Sequence, residues 1–122
     1  MRILLYLVVS WCFATSTLAQ DGAALASLRA AYVAQAKGKW DEALDLAKPA
    51  GQVAVDLIQW DRLRAGRGQF SEAIAFLKRR PDWPGLPYLR QRSEATIEPD
   101  AAPQEVIAFF SNHPPKTPMG AL

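Results

Sequence analysis

The sequence predicts an all-α chain, an α-solenoid of helical hairpins forming a superhelix, preceded by a signal-peptide helix. Three observations carry that expectation. Apolar residues recur at helical spacing through almost the whole chain. No segment alternates apolar and polar residues as a half-buried strand does. A motif of glycine, aromatic, glutamate and alanine returns at intervals that fit a pair of helices.

The elements follow in order. Residues 1–19 open with Arg2, continue as an apolar run through Phe13 and end in Thr17, Leu18 and Ala19. This is the pattern of a cleavable secretory signal, with cleavage after Ala19 and export of the mature chain. The polar "TST" and the lack of a charged flank directly after the run argue against an uncleaved membrane anchor, so no stable anchor is expected after processing. Cys12, the single cysteine, lies in this segment. The expected mature domain, residues 20–122, therefore has no thiol for a disulfide, a Cys-ligated metal or nucleophilic catalysis. Without Arg2 the 14 basic residues become 13 against 12 acidic ones, a net charge of +1. That balance gives no bulk attraction for nucleic acid or an anionic membrane, and no nucleic-acid partner is expected.

A first helix is expected from about Gly22 to Lys37, stopped by Gly38. A second begins at Trp40, with Asp41 and Glu42 where carboxylates favour a helix N-terminus, and ends before Pro49. A third covers Gln52 to about Ala65, a fourth runs from Phe70 to Arg79 and is ended by Pro81, and a fifth spans about Leu86 to Thr96. The "EPDAAP" stretch separates the fifth from a sixth that starts at Pro103. Thr117 and Pro118 read as the cap and first turn of a further helix. Between the fourth and fifth helices, "RRPDWPGLPYLRQR" reads as a corner over which Trp83 packs.

The repeat is specific. "GKWDEALDLAK" from Gly38 lies over "GQFSEAIAFLK" from Gly68, and "SEAIAFLKRRP" from Ser71 lies over "QEVIAFFSNHP" from Gln104. Glycine is expected to take the left-handed cap that ends one helix. The aromatic opens the next helix as a core wedge, and alanine lets two helix backbones approach closely. Stacked pairs of this kind form an α-solenoid.

Few residues suggest chemistry. Glu42, Glu72 and Glu105 recur at one repeat position, which fits helix N-terminal charge placement better than general acid catalysis. His113 is the single histidine and has no second ligand in the sequence, so capping or solvent exposure is expected in place of metal binding. Neither a metal nor a cofactor is expected. Trp40 is expected in the core, whereas Trp60 and Trp83 are candidates for ligand contact together with Arg62 and Arg64. Arg62, Arg64 and Arg67, and Lys78, Arg79 and Arg80, fall where cations offset a helix dipole, and Arg90 and Arg92, after the corner, are expected to face solvent.

The run "GQVAVDLIQWDRLRAGRGQFSEAIAFLKRRPDWPGLPYLRQRSEATI", followed by "FFSNHPPKTPMGAL", resembles the N-terminal superhelical region of alphaproteobacterial soluble lytic murein transglycosylases. The most specific element is "FLKRRPDWPGLPYLRQRSE", and the resemblance covers roughly residues 43–122. It implies a ring or U of helices followed by a lysozyme-like domain, whose single catalytic glutamate cleaves the MurNAc–GlcNAc bond of peptidoglycan with formation of an anhydro sugar. The Glu-Ser motif of that domain has no counterpart in these 122 residues, so no catalytic residue carries over and the chain is expected to be inactive alone. The resemblance thus implies a truncated, non-catalytic superhelical part of a periplasmic enzyme with peptidoglycan as its partner. Two other readings stand beside it: a free-standing tetratricopeptide-like periplasmic adaptor with a protein partner in its groove, and the remnant of a frameshifted gene.

Overall fold

The computed structural model describes residues 14–121, with side chains from Ala19 onward. Cys12 and most of the expected signal segment lie outside the described residues; of that segment, residues 14–19 belong to the first helix. Among the described residues the chain is all-helical: α1 (Ala14–Ala36), α2 (Trp40–Ala47), a 3₁₀ turn (Lys48–Ala50), α3 (Gln52–Arg64), α4 (Phe70–Arg79), α5 (Leu86–Glu94) and α6 (Pro103–Phe110). None of these helices is long and apolar enough to cross a membrane.

Local chemistry sets most of the boundaries. At the end of α1, Gly38 adopts φ 73°; its N–H donates to Gln35 O at 2.8 Å and the Lys39 N–H donates to Ala34 O at 3.0 Å. This is the paired closure of a Schellman motif, which needs a residue without a Cβ penalty at the left-handed position. The end of α3 repeats it with Gly66 at φ 69°, the Gly66 N–H bonding to Leu63 O and the Arg67 N–H to Arg62 O. The helix terminator before α4 is therefore Gly66, not the repeat glycine Gly68. Gly68 sits at φ 137°, where a Cβ would lie 3.0 Å from Glu72 Oε2 and 3.1 Å from Leu63 Cδ2. It serves close approach rather than helix termination.

Two boundaries differ from expectation. Helix α1 is already helical at Ala14, the first described residue, and runs through Gly22, where its start was expected; a single interior glycine costs only about 1 kcal/mol. Helix α5 stops at Glu94, and the Thr96 side chain then donates to Ser93 O at 2.8 Å, closing the last turn locally.

The chain divides into two compact units, Met1–Ile58 and Gln59–Leu122. In the first, α1 packs on α2 and on the 3₁₀ turn. Its core is built from small residues, Ala31, Ala34, Ala43, Ala47 and Ala54 with Ile58, and Leu28, Leu44 and Val55 pack around them. Alanine at a helix crossing removes the bulk that would hold the two axes apart. Ser27 Oγ donates to Leu46 O at 2.8 Å and ties the first two helices together. Trp40 is half-buried and is not part of this core, contrary to the expectation for a repeat aromatic.

The second unit has a larger-grained core of Leu63, Phe70, Ala73, Phe76, Leu77, Leu89 and Phe109. Phe70 meets Phe109 edge-on at a centroid separation of 5.1 Å, and Phe76 meets Trp83 likewise at 5.9 Å. These T-shaped contacts put a positive ring edge on a negative face. The corner between α4 and α5 forms as expected: Pro81 follows α4, Gly85 at φ 70° precedes α5, and Pro87 falls in the first turn, where its missing N–H leaves no bond unmade.

Candidate functional site

The four residues singled out from sequence separate into three settings, all in the second unit. Trp60, near the end of α3, donates its indole N–H to Pro84 O at 2.8 Å. The Arg64 guanidinium, one turn on, lies 4.3 Å from the centre of the Trp60 ring and 5.5 Å from that of Tyr88. A Cβ at Gly85 would stand at ordinary contact distance, 3.5 Å from Trp60 Cζ2 and 3.8 Å from Arg64 Nε, so it is the left-handed backbone at φ 70° that favours glycine here. The corner backbone thus lies directly against the indole. Tyr88 is 48% exposed, so the cluster presents an aromatic ring and a guanidinium side by side at the surface.

Arg62 is placed elsewhere. Its NH1 pairs with Glu72 Oε1 at 2.8 Å, with the two side chains only 17% and 32% exposed. Glu72 Oε2 accepts the Gln69 N–H at 2.7 Å, the carboxylate half of a capping box at the start of α4. Both oxygens of Glu72 are engaged in structure. Glu42 pairs with Lys39 at 2.9 Å on the surface, and Glu105 lies in the first turn of α6. Trp83 is half-buried against Phe76, with the Arg80 guanidinium 5.1 Å from its ring centre. Its indole N–H is buried without a hydrogen-bond acceptor among the described residues. His113 is exposed, and among the described residues no group of three or more His, Cys, Asp and Glu side chains could hold a metal ion.

Two further features were not among the site residues expected from sequence. Glu94, only 3% exposed, accepts the Lys116 N–H at 2.8 Å, the Thr117 N–H at 2.7 Å and the Thr117 hydroxyl at 2.6 Å. A buried carboxylate stays acceptable only with such donors around it. It anchors the "KTPMG" turn, in which the Gly120 N–H reaches Thr117 Oγ1 at 3.3 Å, the cap geometry expected of Thr117. The second is Arg90, on α5 one turn before Glu94. Its NH1 donates to Phe109 O at 3.2 Å and its guanidinium lies 5.3 Å from the Phe109 ring centre. Burial alone pushes this guanidinium below its usual pKa.

With that geometry in place, comparison with known proteins adds no relative: no family model, curated protein or solved structure matches the chain. Function has to be argued from the residues.

Proposed function

We propose that the chain is the non-catalytic superhelical part of a periplasmic lytic transglycosylase, holding the enzyme on peptidoglycan. The single observation that carries this reading is the aromatic and arginine cluster of Trp60, Arg64 and Tyr88, seated on the corner motif that most specifically resembles the family. Aromatic faces pack on the apolar faces of sugar rings, and a guanidinium beside them donates to hydroxyl and carboxyl oxygens. In this reading the helical hairpins stack as an α-solenoid, with Ala43 and Ala73, both fully buried, at the same repeat position in two successive pairs.

Co-sedimentation with purified sacculi tests the reading. The chain is expected to pellet with sacculi, to lose most of that retention in Arg64→Ala, and to release no anhydromuropeptides. Failure to pellet removes the glycan-directed role, and release of anhydro sugars shows that catalysis resides in this chain after all. A second reading, a periplasmic adaptor, is favoured by a 360 Å³ groove in which Ile74, Leu77, Ala108 and Phe109 alternate with polar and charged residues, Arg90 and Glu105 among them. Ile107, on the same helix as Ala108 and Phe109, is 69% exposed. A chain that ignores sacculi but captures an apolar helical peptide would support that alternative.

A further inference from the structure

We infer that a second pocket, which shares Arg90 and Phe109 with the groove lined by Ile74 and Ala108, recognises the terminal carboxylate of a short peptide. The pocket occupies about 260 Å³ between α5 and the segment after α6. Pro87, Phe109 and Pro114 give it apolar walls, and Arg90, Asn112 and Lys116 supply polar groups. Convergent donors on an apolar cleft are the usual make-up of a small-ligand site.

Arg90 is the decisive residue. It is partly withdrawn from water, and its protein contacts are a carbonyl and a ring face, with no carboxylate pairing it among the described residues. A desolvated guanidinium ordinarily sits against an anion, because its fork of donors matches a carboxylate two bonds at a time. The one acid in the pocket wall, Glu94, is already satisfied by the Lys116 N–H, the Thr117 N–H and the Thr117 hydroxyl. Its oxygens are turned to the chain's own donors and do not pair Arg90, so Arg90 and Lys116 set two positive charges against its one in the pocket wall. The apolar walls favour a small aliphatic side chain next to that carboxylate and disfavour a fully hydrated inorganic anion. The inference stands apart from the glycan reading, since it involves neither Trp60 nor Arg64.

His113 lines this pocket and is the single histidine, so its ring proton resonances report on the site alone. Titration of the full 122-residue chain with N-acetylalanine is expected to shift those resonances saturably at millimolar ligand. N-acetylalaninamide, which lacks the charge, and inorganic phosphate should leave them in place. Arg90→Lys keeps the charge but loses the fork and should weaken binding roughly tenfold. Lys116→Gln, at an exposed position whose backbone N–H still serves Glu94, should weaken it about threefold and decides the matter if Arg90→Lys fails to fold. Absence of a saturable shift, equal binding of the amide or of phosphate, or unchanged affinity in Lys116→Gln overturns the inference.

Discussion

The stretches beginning at Gly38 and Gly68 share a pattern and use it differently. Their alanines behave alike, Ala43 and Ala73 both lying at 0% exposure. Their aromatics do not: Phe70 is 1% exposed inside an aromatic core, whereas Trp40 is half-buried and outside the alanine core of its unit. Their glutamates diverge as well. Glu72 joins Arg62 and the Gln69 backbone in a shielded network, while Glu42 meets Lys39 in water. The position that controls how closely two helices approach tolerates one solution. The positions at the edge of the crossing take whatever the neighbouring side chains offer.

Truncating the aromatics should separate the two copies most strongly. Phe70→Ala is expected to cost about 3–5 kcal/mol, because it opens a cavity beside Phe109 and Leu77. Trp40→Ala should cost less, about 2 kcal/mol, since Trp40 is only partly buried and belongs to no core. Urea denaturation of both variants checks the order, and an equal loss would mean that the two aromatics play one structural part.

Glu94→Ala comes next, at about 2 kcal/mol, and it probes a device seen in the second unit, a buried acid that ties down a distant turn. Hydrogen exchange at the Lys116 and Thr117 amides should accelerate in this variant while α4 amides keep their protection. Gly120→Ala should reproduce the effect, because its Cβ would lie 2.6 Å from Glu94 Oε2. Unchanged exchange in both variants would show that the turn is held by something other than Glu94.

The smallest expected difference is between the repeat glutamates. Glu72→Ala should cost about 1 kcal/mol through loss of the capping bond and the half-buried ion pair. Glu42→Ala should stay within about 0.5 kcal/mol, and that remainder should vanish at molar salt, where exposed pairs are screened. Thermal unfolding at low and high salt distinguishes them. A comparable, salt-independent loss at Glu42 would place that residue in a network like that of Glu72.

Much of the fold was legible from local signals. Gly38, Phe70, Pro81, Pro87 and Pro103 marked element ends that the structure keeps, because a left-handed cap or a missing N–H acts within one turn of its own position. The same reasoning misassigned Gly68, since "GRG" offers two glycines and sequence spacing favoured the one that completes the repeat. Of the candidate contacts, Trp60 and Arg64 do meet, being one helical turn apart, whereas Arg62 and Trp83 are turned to Glu72 and Phe76. Tyr88 and Glu94 were not singled out, and Arg90, expected to face solvent, is instead partly buried against Phe109, because their partners are far along the chain. Glu94 and Thr117 lie 23 residues apart, and no local rule couples them.

The sequence by itself determined the helical class, the placement of α2 through α6 and the alanines at the helix crossings, all through forces that reach a few residues. Only the tertiary structure decided which aromatic is swallowed by a core, which glutamate is shielded and which arginine is left without an acid. Those outcomes depend on volumes and charges brought together from distant parts of the chain, and a residue's burial is a property of its neighbours before it is a property of its own side chain.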